Sequence, residues 1–240
     1  MKRILAGTHA VTEALHASAA SVHVVYVASG TRVDQLAQLA RERTVRVEER
    51  TMAELDGLAE GLRHQGVVAI TGDFPYLDLE GLLAGIEGAP FLLALDEITD
   101  PHNFGAMIRS AVALGAHGVL TLKDRAAPVT GAVVRASAGA TEHARIARVT
   151  NLARTLTELR DERGLSIVGL DAEGDRDIDA LDEAPQGRVI VVGSEGKGLR
   201  PLVRKQCTEL ARIPMTNAIA SLNASVAASI ALFATRPRVR

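Results

Sequence analysis

Two uninterrupted apolar runs, FLLAL at 91–95 and VIVV at 189–192, constrain this chain more than any other feature. A strand that is apolar on both faces has to be covered on both faces. That is the situation of a parallel sheet between layers of helix, not of a sheet with one wet side. The second run opens directly into a glycine-rich loop, GSEGKGL at 193–199. Glycines after a strand, at the carboxyl edge of such a sheet, form a generic ligand site because the backbone can approach a ligand closely there.

The rest of the pattern agrees with an α/β chain. Further strands are expected at 119–122, 144–149, 166–170 and 209–213, with helices at 104–114, 129–137, 151–163, 199–206 and 221–235. Residues 1–72 form a smaller α/β region: a helix from Thr8, a β-rich VHVVYVA stretch at 22–28, a helix over 33–43, and short strands at 45–47 and 67–71. Thr51, followed three residues later by Glu54, is the signature of a capping box. The glycine- and proline-punctuated stretch 72–88 reads as a connector with a short helix over 77–86. The expected organisation is a first domain at 1–72, a linker at 73–88 and a second domain at 89–240.

The 240 residues fit one to two domains, and 47% hydrophobic against 23% charged residues excludes a disordered chain. The single cysteine, Cys207, excludes a disulfide framework and a cysteine-based metal site. The first fifteen residues carry too short an apolar run for a signal peptide, so a cytoplasmic protein is expected. From Ile213 to Thr235 no residue is charged, but Pro214, Thr216, Asn217, Ser221, Asn223, Ser225 and Ser229 interrupt the run. A segment packed deeply in protein is expected there rather than a membrane span.

A net charge of −2 advertises no nucleic acid. Local charge says more. Residues 171–183 hold seven acids against Arg176, whereas 197–212 hold Lys197, Arg200, Arg204, Lys205 and Arg212, and the chain ends in Arg236, Arg238 and Arg240. Only four of the 27 basic residues are lysine, which suits bidentate phosphate contacts and equally a GC-rich genome. With 2% aromatic residues a base-stacking platform is excluded, and any RNA would be held by phosphate and shape.

Three segments carry candidate chemistry. In 94–122 a polar loop with Asp96, Glu97 and Asp100 leads into a small, apolar helix holding Arg109. A helix apolar nearly all round points that arginine into a cleft. Asn103 stands where an N-cap would. Three acids in a loop are ordinarily solvated or capping, and no histidines pair at ligand spacing, so no metal is expected. The loop at 193–199 has neither the P-loop nor the G-x-G-x-x-G spacing. In 212–237, Leu222, Val226, Ile230 and Phe233 form one apolar stripe, with Ala224, Ala227, Ala228 and Ala231 keeping other faces thin. Ser221 and Asn223 stand at the helix start, where either can cap.

Taken in order, N-F-G-A-x-x-R-S-A, V-x-G-S-E-G-x-G-L, I-P-M and S-L-N-A-S-V-A-x-S-I resemble the three motifs of SpoU-type RNA 2′-O-ribose methyltransferases of the SPOUT superfamily. The resemblance spans about residues 90–236 and fits best the subgroup that methylates a guanosine ribose in 23S rRNA. Residues 1–72, from GTHAVTEAL to HQGVVA, look like the ribosomal-protein-like RNA-binding domain that often precedes it. The resemblance implies a parallel-sheet domain with a trefoil knot, S-adenosylmethionine as cofactor, RNA as partner, and a homodimer without metal or membrane. It implies cofactor contacts at Gly193, Gly198, Ile213, Met215 and Leu222, and catalytic positions at Asn103, Arg109, Glu195, Ser221 and Asn223. A guanidinium keeps its proton throughout the physiological range, which disfavours Arg109 as a free base, so a grip on the neighbouring phosphate is its expected role, with Glu195 as its partner when RNA is absent. The other four position groups around it. A tRNA substrate and a non-catalytic RNA-binding relative are the alternatives. A nucleotide-binding oxidoreductase would need the missing dinucleotide fingerprint.

Overall fold

The computed structural model describes residues 2–29, 33–216 and 221–237. Asn217, Arg238 and Arg240 lie outside the described residues. Two compact units divide the chain: residues 1–75 with 128–143, and residues 76–127 with 144–240.

The first unit runs β1 (Arg3–Ala6), α1 (Thr8–Ser18), β2 (Val22–Ala28), α2 (Asp34–Glu42), β3 (Arg46–Arg50), α3 (Met52–Leu58) and β4 (Val67–Thr71). Its sheet has the order β1-β4-β2-β3. β4 is antiparallel to both neighbours, and β2 pairs with β3 in parallel. The capping box at α3 is formed: Thr51 Oγ1 accepts the Glu54 N–H, and the Glu54 carboxylate accepts the Thr51 N–H at 2.7 Å. β1 has no counterpart in the sequence reading, because four residues carry no periodicity.

The chain continues through α4 (Leu79–Leu83), β5 (Phe91–Asp96), α5 (Pro101–Ala113) and β6 (Gly118–Leu122) in the second unit. It then contributes α6 (Gly131–Ala136) and a 3₁₀ turn, Ala140–His143, to the first. It returns as β7 (Ile146–Val149), α7 (Leu152–Asp161), β8 (Ser166–Leu170), β9 (Arg176–Asp177), β10 (Arg188–Gly193), α8 (Pro201–Arg204), β11 (Glu209–Arg212) and α9 (Ala224–Thr235).

The placement of 128–143 differs from the sequence division, which put it in the second domain. Its attachments are specific. Gly131 lies so close to β1 that a Cβ would fall 2.0 Å from the Ile4 carbonyl oxygen. Arg3 donates to Glu142 at 2.9 Å with both side chains about 5% exposed or less, and its Nε donates to the Gly72 carbonyl at 3.1 Å. His143 Nε2 meets Glu13 of α1 at 2.6 Å.

The second unit is built on a seven-stranded sheet, β7-β6-β5-β10-β8-β11-β9, parallel at every pairing. β5 and β10, the two apolar runs, lie side by side in its interior with every residue buried. α9 packs on α5 and β10 through Ala224, Ala228, Ala231 and Leu232. Ser110 and Ser229 hydrogen-bond across the two helices at 2.7 Å. The uncharged run is therefore not packed deeply throughout. Pro214 to Thr216 are exposed, and Val226, Ile230 and Phe233 are 46%, 37% and 59% exposed, because the thin alanine face takes the buried side. Among the described residues no helix is long and apolar enough to cross a membrane.

Removing one partner of a buried ion pair strands the other. Glu142→Ala is expected to destabilise the first unit by about 3–5 kcal/mol. Urea unfolding of the full chain, followed by a probe in residues 1–75, would show an unchanged midpoint if the pair contributes nothing.

Candidate active site

The site begins where two buried strands end together. Gly193, the last residue of β10, pairs in register with Asp96, the last of β5. Asp96 is fully buried, and it accepts the Arg200 backbone N–H at 2.9 Å and the Arg200 Nε–H at 2.7 Å. That clamp fixes the far end of the 194–199 loop. The near end needs glycine, since a Cβ on Gly193 would sit 2.1 Å from the Gly198 carbonyl carbon.

The loop borders a cavity of about 830 Å³, within the roughly 300–1,000 Å³ of small-molecule sites. Gly193, Gly198, Ile213, Met215 and Leu222, the expected cofactor positions, all line it, as do Glu195, Ser221 and Asn223. Sequence reasoning missed the opposite wall, Leu170, Asp171 and Glu173, where β8 ends. Part of the signal was the strand expected at 166–170, since ligands gather at carboxyl ends of parallel strands, but its place beside β10 comes only from the sheet order. Burial pushes the Asp171 carboxyl up, but the Glu173 amide and the Arg204 guanidinium outweigh it and hold the group below the usual carboxylate range. Asp171 meets Arg204 at 2.8 Å. The lining combines apolar residues with three acids, Asp171, Glu173 and Glu195, and two cations, Lys197 and Arg204, which gives a nucleoside-sized ligand apolar surface and charged partners of either sign.

At one side of the cavity three side chains from three elements close a hydrogen-bonded ring. Asn103 Nδ2 of α5 donates to Glu195 Oε1 at 2.8 Å. Asn223 Nδ2, at the start of α9, donates to the same oxygen at 2.7 Å and to Asn103 Oδ1 at 3.0 Å. Asn223 Oδ1 meanwhile accepts the Ser225 N–H at 2.9 Å and caps α9. Asn103 is not the cap of its own helix. Asp100 takes that place, accepting the Asn103 N–H at 2.8 Å with Pro101 at the first turn, which frees the Asn103 amide for Glu195. Ser221 lies two residues before the α9 cap and is exposed on the cavity.

Arg109 departs from its expected setting. It is exposed on α5 and makes no hydrogen bond or ion pair among the described residues, and Glu195 is engaged by the two asparagines instead. The apolar side of α5, Phe104, Met107, Ile108 and Ala111, is buried, so the arginine takes the remaining outward face. The loop acids are each occupied: Asp96 by Arg200, Glu97 by Arg125 at 2.8 Å and Asp100 by the helix start. Among the described residues no three His, Cys, Asp or Glu are placed to hold a metal. Burial raises the Cys207 thiol to about 11, which leaves little thiolate at neutral pH.

The family model described as SpoU rRNA Methylase family matches residues 90–233, and that described as RNA 2′-O ribose methyltransferase substrate binding matches residues 4–77. The chain belongs to the SpoU rRNA methylase family. It is 43% identical over 234 residues to the 23S rRNA (guanosine-2′-O-)-methyltransferase RlmB of Pseudomonas aeruginosa, covering 95% of this chain and 93% of that one. It is 40% identical over 233 residues to a putative TrmH family tRNA/rRNA methyltransferase, YacO, of Bacillus subtilis, covering 95% and 92%. Among solved structures it resembles the SpoU methyltransferase AviRb from Streptomyces viridochromogenes in complex with AdoMet, with a TM-score of 0.80, 28% identity and coverage of 97% and 88%. The AdoMet-bound rRNA methyltransferase from Sinorhizobium meliloti gives 0.79, 26%, 97% and 86%.

The double duty of Asn223 can be separated. Asn223→Asp keeps the capping oxygen but turns a donor to Glu195 into a second carboxylate. It is expected to lower the melting temperature, and adding Glu195→Gln is expected to restore most of the loss. Calorimetry of the two variants decides it. A double variant no more stable than Asn223→Asp would remove Glu195 as the source.

Proposed function

We propose that this protein methylates the ribose 2′-hydroxyl of a guanosine in 23S rRNA, with S-adenosylmethionine as methyl donor. The observation that carries the reading is the Asn103–Glu195–Asn223 ring. It joins the three segments of the SpoU motif set beside a cavity of cofactor size. The relatives named for 23S rRNA and for AdoMet, matched over most of this chain, support the substrate and the cofactor.

The residues fit the methyl donor. The folded-back glycines bring backbone within reach of a ligand, Leu222 and Ile213 offer apolar surface, and Glu173 is a carboxylate in the lining for a sulfonium. Bound there, S-adenosylmethionine supplies an electrophilic methyl group. We assign cofactor contacts to Gly193, Gly198, Ile213, Met215 and Leu222, within the knotted arrangement that the resemblance implies. Residues 1–72 are assigned to RNA choice, 73–88 to a linker, and the part of 89–240 that lies in the second unit to chemistry.

What the chain's own side chains do follows from their chemistry. A ribose hydroxyl is a weak nucleophile until its proton has an acceptor. The guanidinium of Arg109 carries no vacant site for a proton, so its work is to hold a substrate phosphate and orient the ribose. Glu195, fixed by two amides, together with Ser221 defines the position of the reacting group. The exposed, unpaired state of Arg109 is what an anchor awaiting an anion requires.

The same α9 supports a homodimer. Val226, Ile230 and Phe233 form a continuous exposed apolar stripe on a helix whose other face is buried, and a second copy covers it by two-fold symmetry. Mass spectrometry of nuclease-digested 23S rRNA and tRNA, incubated with the enzyme and labelled cofactor, tests the reaction. A methyl group found only in tRNA, or on a base, overturns it.

Two outcomes are expected. Arg109→Ala lowers turnover about a hundredfold or more with cofactor affinity nearly unchanged, and Arg109→Lys recovers little. Lost cofactor affinity with normal turnover at saturation would place Arg109 in the cofactor pocket instead. Sedimentation of Phe233→Asp is expected to show monomer where the parent chain shows dimer, and a monomeric parent at micromolar concentration refutes the dimer.

A further inference from the structure

The first unit holds a second cavity, of about 210 Å³, which shares no lining residue with the cofactor-sized cavity or with the Asn103–Glu195–Asn223 ring. Arg63, Gln65 and His9 line it together with Arg135 and Ala138 from the 128–143 segment and Gly7 at the start of α1. No lining residue is acidic, in contrast to the larger cavity with its Asp171, Glu173 and Glu195. Neither the Arg63 nor the Arg135 guanidinium has a hydrogen bond or ion pair among the described residues, although other arginines of this unit, Arg3, Arg46 and Arg50, are paired with acids. Two arginines from segments 72 residues apart in sequence, both with unpaired guanidiniums, thus line one hollow.

We propose that this cavity binds one phosphate group of the RNA backbone, an anchor point for the substrate in the first unit. The inference rests on the RNA reading above and deepens it. Size points to a single group of a larger ligand, since 210 Å³ is below the roughly 300–1,000 Å³ that whole small molecules occupy. Donor chemistry points to phosphate: two planar forks, an imidazole and a side-chain amide surround the hollow. α1 begins at Gly7 without a side-chain cap, so its first-turn amides add further donors. The hollow is held in shape rather than left to loop motion. The His64 ring, 5% exposed, accepts the Gly66 N–H on Nδ1 at 3.1 Å and meets Asp56 at 3.0 Å, fixing the turn that carries Arg63 and Gln65. On the other wall, a Cβ on Gly139 would lie 2.5 Å from Glu13 Cγ, so the segment carrying Arg135 and Ala138 is seated directly on α1.

The test uses the full chain with Arg63→Ala, Arg135→Ala and the double variant, all at exposed positions. A fluorescently labelled 23S rRNA fragment is titrated at several salt concentrations, with cofactor calorimetry and methyl transfer alongside. The double variant is expected to bind RNA about tenfold more weakly and to lose about two units of salt slope, with cofactor affinity and kcat at saturating RNA unchanged. Arg63→Lys with Arg135→Lys is expected to recover the slope and only part of the affinity. RNA affinity and slope unchanged in the double variant, while the parent chain methylates normally, overturn the pocket and leave the enzyme reading intact. A parent chain that binds RNA through both arginines but methylates none overturns the enzyme reading and keeps the pocket. A parent chain that binds no RNA overturns both. Stabilisation by inorganic phosphate that needs both arginines, with RNA binding unaffected, makes this a free-phosphate site and overturns the RNA assignment.

Discussion

The side-by-side ending of β5 and β10 is the constraint on which the second unit depends. Both strands are buried along their whole length and pair residue for residue, from Phe91 with Arg188 to Asp96 with Gly193. With that register fixed, Asp96 and Gly193 are adjacent. A fully buried carboxylate must be paired, and Arg200 satisfies it with both backbone and side chain. The loop between Gly193 and Arg200 is thereby pinned at both ends. Glu195, inside that loop, then stands where Asn103 and Asn223 can reach it.

The two asparagines of the ring each depend on a local helix rule. Asn103 is available because Asp100 and Pro101 start α5 in its place. Asn223 is held because its oxygen is the cap of α9, which leaves its amide hydrogens directed at Asn103 and Glu195. The capping requirement and the site geometry are met by opposite ends of one amide. A side chain so divided has little rotational freedom left, and that is the preorganisation a transfer reaction needs.

The two apolar runs made the parallel sheet legible, and the spacing of Thr51 and Glu54 made the α3 cap legible, because these features are local and periodic. Motif order made the family and the set Asn103, Glu195 and Asn223 legible. What escaped was set by tertiary partners. Arg109 looked destined for a cleft because α5 is apolar, yet helix phase puts it on the outward face. The uncharged run was expected to pack deeply, yet only the alanine side of α9 does so, because alanines allow closer approach to β10 and take the inside. The association of 128–143 with the first unit turns on Gly131 fitting against Ile4 and on Arg3 meeting Glu142, contacts far apart in sequence that no window of residues displays.

Net charge fails as a guide to nucleic acid here because it counts arginines that are already spent. Arg3 and Arg200 sit on buried carboxylates, and the exposed Arg204 is paired with Asp171, so each presents less field outside than a free arginine. Arg63, Arg109 and Arg135 are exposed and unpaired among the described residues, and each keeps its charge for a partner. A chain of net charge −2 can therefore still offer phosphate separate cationic points, provided its acids are consumed internally. Such a surface attracts RNA weakly at long range and rewards it only where a phosphate and an unpaired fork coincide. Affinity then depends on the shape of the RNA, which decides whether its phosphates can meet those points at once. In a chain with so few aromatic rings, that geometric match is the means left for choosing a substrate.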